Sequence, residues 1–383
     1  MAVGRPFGRV VEQLESRLRE TADVSLQRLY RVQLAGVSAR LGRLDEARQL
    51  LAQLRRENAS YEPKLSAWIM YTEGLITHFE SLDVDASRDW MRRAHAVSVA
   101  AGDSDLRAIT SAWLADLDFR LANFESAVAH LAQSFELSNG NSHEARGRAC
   151  LVLADMACWA GMTEEAKAWF RSAREHAIEH GDIGMQSVVL YNSVSFRVTP
   201  LVVQDCFDGA SSEVAAALKR EVQSVSNLDS GLGIRTLSTM IPALLADLGT
   251  VLGDWQSAVG EFGGFITRIQ ADGQQRRAAK YLAQRAWCLA QLDRLDEARI
   301  GIADALRVVE QCLDLDDLAV VYARVGATHR VLGDASLSEH HSQLARRCLA
   351  EFSDSQRRMR TLLGGVLHTA RRQEKENPAL GRV

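Results

Sequence analysis

The sequence has little that would build a sheet protein, a membrane protein or an enzyme of a familiar kind. Only five of its residues are proline and aromatic residues make up 6%, so turn chemistry is sparse and long helices go uninterrupted. No apolar run approaches the length needed to cross a bilayer. The first residues, Met1-Ala2-Val3-Gly4-Arg5-Pro6-Phe7-Gly8-Arg9, lack the apolar centre of a signal peptide, and a cytoplasmic location is expected. Lysine is scarce: of 45 basic residues five are Lys (64, 167, 219, 280 and 375), leaving 40 Arg, a bias expected of a GC-rich bacterial genome. The net charge of -4 excludes the overall basic footprint of a nucleic-acid binder.

The chemistry of catalysis is also thin. The six cysteines (150, 158, 206, 288, 312 and 348) contain no Cys-x-x-Cys pair and fall mostly in apolar stretches, which reads as buried thiols in a reducing compartment. In Glu175-His176-Ala177-Ile178-Glu179-His180 two imidazoles lie one turn apart, but the residue after His176 is Ala, so this is not the His-Glu-x-x-His zinc motif. At a helix end such imidazoles complement the dipole. Asp229-Ser230-Gly231-Leu232-Gly233-Ile234 holds a fragment of a glycine-rich loop without the preceding strand or the following Lys-Ser/Thr that phosphate binding requires. No enzyme, cofactor or metal is expected.

What is present is a recurring phrase: a small or acidic turn, an apolar residue, two polar residues, then Ala. It occurs as Leu41-Gly42-Arg43-Leu44-Asp45-Glu46-Ala47, Leu121-Ala122-Asn123-Phe124-Glu125-Ser126-Ala127, Ala160-Gly161-Met162-Thr163-Glu164-Glu165-Ala166, Leu252-Gly253-Asp254-Trp255-Gln256-Ser257-Ala258 and Leu292-Asp293-Arg294-Leu295-Asp296-Glu297-Ala298. A weaker copy ends at Ser338. The intervals 127–166, 258–298 and 298–338 are 39, 40 and 40 residues, and Ala86, 39 after Ala47, fills the gap before Ala127. A fixed period of this size marks a repeat protein. The stretches on either side of each phrase carry apolar residues at helical spacing, so the unit is helix, tight turn, helix. Ala101-Gly102-Asp103 and His180-Gly181-Asp182 supply a left-handed stop followed by a cap for the next helix.

Over residues 25–350 the chain resembles the tetratricopeptide repeat family. The resemblance rests on a small residue in mid helix A (Ala35, Gly74, Ala115, Ala154, Ala246, Ala286, Gly326), the turn Gly, and an Ala followed four residues later by a bulky apolar residue in helix B. Those pairs are Ala47 with Leu51, Ala86 with Trp90, Ala127 with Leu131, Ala166 with Phe170, Ala258 with Phe262 and Ala298 with Ile302. The period exceeds the family's standard ~34 residues, as in longer-repeat variants of bacterial regulators and kinesin light chains, and HEAT or armadillo repeats are the structural alternative. The resemblance implies an all-α, right-handed α-solenoid of about eight units, one of them degenerate near 183–230. In that unit a helix A is expected around 188–196, an irregular loop from Pro200 to Gly209 and a helix B from Ser212. Residues 1–24 would form a capping helix.

In this family the concave face, built by the helices A, binds partners. Asp116, Asp155 and Asp247 occupy the mid-helix position of three units and Trp287 that of a fourth, with Trp68, Tyr71, Phe119, Arg120, Asn192 and Arg324 as further inward candidates. Where the carboxylate-clamp subgroup has Lys, Arg and Asn, this chain has Asp, which points to a basic or amine-bearing protein or peptide partner, and not to nucleic acid or membrane. Alternatively, each Asp caps a helix or pairs with Arg. A homodimer is left open. Residues 351–383, with Arg357, Arg358, Arg360, Arg371, Arg372 and Lys375, read as a basic helix that either caps the solenoid or serves as a linker. As a whole the chain also resembles the N-terminal repeat region of bacterial diguanylate cyclases. The implied roles are a non-catalytic scaffold or regulatory adaptor, or a sensory module that controls a signalling partner.

Overall fold

The computed structural model describes residues 8–57, 62–81, 83–139, 141–237, 240–271 and 277–375. They contain seventeen α-helices and, among the described residues, no strand. After α1 (Arg9–Glu20) the helices form eight hairpins: α2 (Val24–Arg40) with α3 (Leu44–Glu57), α4 (Pro63–Ser81) with α5 (Val84–Ala100), α6 (Ser104–Arg120) with α7 (Phe124–Leu137), α8 (His143–Trp159) with α9 (Thr163–His180), α10 (Ile183–Phe207) with α11 (Ser212–Leu232), α12 (Ile241–Val251) with α13 (Trp255–Ala271), α14 (Ala278–Gln291) with α15 (Leu295–Arg307), and α16 (Leu315–Val331) with α17 (Ala335–Lys375). The fold is an all-α solenoid of helical hairpins.

Six of the hairpin turns are closed in the same way. Gly42, Gly161, Gly253 and Gly333 have φ of 73–83°, and where glycine is missing Ala122 (57°) and Asp293 (59°) take the same left-handed conformation. The residue after it donates its backbone N–H back to the carbonyl five residues earlier: Arg43 to Ser38 (2.9 Å), Asn123 to Asp118 (2.9 Å), Met162 to Ala157 (2.8 Å) and Asp254 to Gly249 (2.9 Å). This satisfies a carbonyl that the helix end would leave orphaned. Between hairpins Gly102 and Gly181 are left-handed, and the next residue caps the following helix: Asp103 accepts from Leu106 N at 3.1 Å and Asp182 from Met185 N at 2.9 Å.

The small residues of the repeat are buried as packing requires: Ala35, Ala115, Ala154 and Ala286 are 0% exposed, as are Ala47, Ala127 and Ala298. In the second hairpin the register differs by one from the sequence reading. Ser87 and Met91, both 0% exposed, occupy the helix-B positions, whereas Ala86 and Trp90 are half-buried. Ser87 N donates to Asp83 O, the counterpart of Ala127 N to Asn123 O. The intervals 47–87 and 87–127 are then both 40 residues. Ser stands where the other early units have Ala, and its buried hydroxyl has no hydrogen-bond partner. Replacing Ser87 with Ala is therefore expected to raise stability by about 1 kcal/mol, while Ala86→Ser stays within about 0.5 kcal/mol. Urea unfolding of the two variants measures the difference.

One further expectation changes. Pro200 lies inside α10, which continues to Phe207, so the turn begins only at the left-handed Gly209. The glycine-rich fragment forms the end of α11: Ile234 N returns to Asp229 O at 2.9 Å, and Asp229 accepts a 2.6 Å bond from Ser187. It is a helix cap, not a phosphate cradle.

The chain divides into two compact units, one of residues 1–190, 229–236 and 358–383, the other of 191–228 and 237–357. In the first, successive helices A pack on one another, α2 on α4 and α6 on α8. This unit closes on itself. Arg40 of the first hairpin is bonded to Asp182 beyond the fourth, Thr236 donates to the Arg40 carbonyl at 2.7 Å, and Val10, Val11 and Leu14 of α1 pack with Val37, Leu41 and Ile234. Residues 358–375 of α17 complete the unit. They bury Met359, Leu363, Val366, Leu367 and Ala370, and pair Arg358 with Glu125 and Arg371 with Glu165. The basic segment is thus a docked helix continuous with the last hairpin, with no break at 351. In the second unit α12 to α16 share one apolar core built around Phe262, Tyr281, Leu289 and Val325.

Candidate functional site

The closure of the first unit turns its row of helix-A side chains into an interior. Trp68 is 6% and Tyr71 0% exposed. Trp68 Nε1 donates to Asp103 at 3.1 Å, and its ring meets Tyr71 edge-on. The Tyr71 hydroxyl donates to Glu144 at 3.0 Å and accepts from Trp113 Nε1 at 3.2 Å. Arg40 supplies the cation, with Nη1 on Glu144 at 2.7 Å and Nε on Asp182 at 3.0 Å. Burial opposes its charge, but the two carboxylates outweigh this and hold the guanidinium above its ordinary value. For Asp182 burial pushes the carboxyl up, and the Arg40 charge with the capping bond more than reverses it, leaving it below the usual range.

Beside this network the guanidinium of Arg148, on α8, lies 3.6 Å from the centre of the Trp113 ring. Burial lowers its pKa while the charges of Asp116 and Tyr71 resist. Among the described residues Arg148 has neither an ion pair nor a hydrogen bond through its side chain. It lines a cavity of about 20 Å³ together with Arg40, Trp113, His143, Glu144, His180, Asp182 and Met185. That volume admits about one water, which needs ~10–15 Å³. His143, Glu144 and His180 are half-buried and form its more open side.

The other sequence candidates in this unit sit close by. Asp116 is 2% exposed and accepts from Arg120 at 3.1 Å, while its second oxygen has no hydrogen-bond partner. Arg120 itself is exposed. Phe119 packs against Phe124 and Trp159. Asp155 is 2% exposed. The Asp row therefore lies inside the protein, and its first member is matched to Arg120 at the helix's own i+4 position.

The second unit repeats the theme with different residues. Asp247, 2% exposed, accepts from Gln284 at 3.0 Å and lies 3.5 Å from Lys280, which also meets Asp317 at 3.0 Å. Arg324 Nε donates to Gln284 at 2.7 Å and its other end pairs with Asp205. Trp287 lies beneath Arg324 and edge-on to Trp255. Asn192 is buried. Nearby Asp316 is pushed up to about 7 by burial and by the charges of Asp317 and Asp314. Asp247, Trp287 and Arg324 are thus brought together, joined by Gln284 and Lys280, which the sequence reading did not single out.

One metal-like trio exists among the described residues: ligand atoms of Cys150, His176 and Glu374 lie within 4.8 Å of one another. Glu374 is held by Arg146 at 3.2 Å and by His176 Nε2 at 3.1 Å, and His176 Nδ1 faces His143 Nδ1 at 3.0 Å. Burial pushes the Cys150 thiol up, away from the thiolate that a metal needs. The arrangement works as an ion-paired clasp for the end of α17. His180, paired with His176 in the sequence motif, faces the Arg148 cavity instead. No helix among the described residues is long and apolar enough to cross a membrane.

No family model matches this chain, and no curated protein matches its sequence. Among solved structures it is similar to a Rap protein complexed with competence and sporulation factor, with a TM-score of 0.53 and 12% identity over 92% of this chain and 96% of that one. A circular tandem repeat protein with novel repeat topology aligns over 95% of this chain and 97% of its own at 16% identity, but its TM-score of 0.22 carries no inference. At 12% identity the likeness to the Rap protein establishes the helical-repeat fold alone.

Proposed function

We propose that this chain is a non-catalytic binding module, a regulatory adaptor that holds a protein or peptide partner on the inner faces of its helical hairpins. The observation that carries the reading is the convergence of Trp113, Glu144 and Arg148, from two successive helices A, on one cavity, with Tyr71 of the preceding helix A hydrogen-bonded to both Trp113 and Glu144. Aromatic rings beside a guanidinium are the residue types that dominate recognition surfaces. The titratable groups there favour binding over turnover: Arg40, Glu144 and Asp182 are bound to one another, and the Cys150 thiol is held neutral by burial. The solved Rap protein of similar fold is itself complexed with competence and sporulation factor.

The closure between Arg40 and Asp182 favours a sensory version of this role. A partner that reached Tyr71 or Trp68 would have to open contacts that bury both, so binding there would select a different arrangement of the hairpins. The protein purified from its native cells is expected to retain a stoichiometric protein or peptide, seen by native mass spectrometry. Removing that partner should raise amide exchange in α4, α6 and α8. Protection confined to other helices, or turnover of a substrate by the isolated chain, would overturn the proposal.

A further inference from the structure

We infer that the Arg148 cavity is the receiving site for a carboxylate carried by the bound partner or ligand. This rests on the binding reading above and specifies its chemistry. Arg148 is 7% exposed, yet among the described residues its guanidinium is hydrogen-bonded to nothing. Buried cations are ordinarily paired, because removing a charge from water is costly. Every other ion in the cavity wall with a resolved partner is committed: Arg40 to Glu144 and Asp182, with Glu144 also taking the Tyr71 hydroxyl. Asp116 and Arg120 pair with each other next to it.

The geometry selects the ligand. Trp113 covers one face of the guanidinium, so donors remain only around its edge, a planar fork that matches the two oxygens of a carboxylate. The enclosed space holds about one water, so a carboxylate would take the place of that water with its oxygens toward Arg148, and the remainder of the ligand would lie outside, past His143 and His180. Met185 also lines the cavity and reports occupancy through its methyl without donating a hydrogen bond. The fixed charges of Arg40, Arg148, Glu144 and Asp182 sum to zero. The attraction is therefore the local one of unused donors, and not a broad positive field.

The test uses the full chain with ¹³C-labelled methionine methyls, the Met185 signal being assigned from Met185→Leu. Propionate, as a mimic of an acidic side chain, and N-acetylglycine, as a mimic of a chain end, are titrated at constant ionic strength against chloride and inorganic phosphate. The Met185 methyl is expected to shift saturably with one or both carboxylates, and the stronger of the two identifies the source. In Arg148→Met that affinity should fall about tenfold or more, the usual consequence of losing a charge-assisted bond. A saturable shift with phosphate alone, or no saturable shift with any probe in the wild type, overturns the inference whether or not Arg148→Met folds. Retention of a native partner by the wild type in the same preparation would leave the binding role standing, so the two failures are distinguishable.

Discussion

Replacing Arg40 with Met is expected to destabilise the first unit by about 3–5 kcal/mol, the usual cost of removing one member of a buried ion network. Arg40 is the only cation bonded to both Glu144 and Asp182 among the described residues, and the Asp182 side chain is 4% exposed. Without it the two carboxylates face each other's charge, and the hydrogen bonds left to them come from the Tyr71 hydroxyl and the Met185 N–H. The pH dependence should change as well. The Asp182 pKa is lowered in the folded state, so its stabilisation is present above the unfolded value of about 3.9 and is lost as pH falls through the folded one. Arg40→Met removes that gain, so the deficit relative to wild type should be largest near neutrality and narrow in acid. Guanidinium unfolding at several pH values checks both statements, and the triple variant Arg40→Met, Glu144→Gln, Asp182→Asn should recover part of the loss.

The hairpins were legible because each turn needs one residue with positive φ and one small residue where two helices touch. Those demands leave Gly42, Gly161, Gly253 and Gly333, with Ala at a period near 40, on the surface of the sequence. The second hairpin misled by one residue because Ser87 is as small as Ala but is usually read as polar, and Ala86 lies beside it. Pro200 misled for a different reason. Proline removes one helical hydrogen bond and costs a local clash, yet α10 continues to Phe207, so tertiary packing outweighs the local preference. The basic C-terminal stretch reads as either a cap or a linker because its Arg residues dominate the composition, while Met359, Leu363, Val366 and Ala370, at helical spacing, decide where it docks.

The site was legible only in part. Trp68, Tyr71, Asp116 and Asp247 are all buried, and periodicity cannot say whether the face that carries them is an open groove or an interior. The closing contacts join residues about 140 apart, Arg40 and Asp182, and nothing local in the sequence announces them. A signal for the missed cations was present. Arg146 and Arg148 stand in a run that continues Ala-Cys-Leu-Val-Leu-Ala, and Lys280, one of five lysines, stands among Ala278, Ala279, Tyr281 and Leu282. A charge inside an otherwise apolar helix must either meet a partner or await one.

Lys280→Met tests the first of those outcomes in the second unit. Lys280 is 4% exposed and its ammonium lies between Asp247 at 3.5 Å and Asp317 at 3.0 Å. Burial opposes its charge, but the two aspartates more than compensate and hold its pKa above the ordinary lysine value. Removing it should cost about 3–5 kcal/mol at and above neutral pH, because two carboxylates then remain buried without a cation between them. Asp247 is already raised by burial even with Lys280 present, and losing the ammonium must raise it further. A carboxyl raised in the folded state binds its proton more tightly there than in the unfolded chain, so the fold gains as pH falls and loses as pH rises through the folded value. The Lys280→Met deficit should therefore shrink in mild acid. Adding Asp247→Asn should restore part of the loss at neutral pH, since the amide oxygen still accepts the 3.0 Å bond from Gln284 while the uncompensated charge is gone. A deficit independent of pH, with no recovery in the double variant, would mean that Lys280 acts through the packing of its methylene stem against Tyr281 and not through its charge.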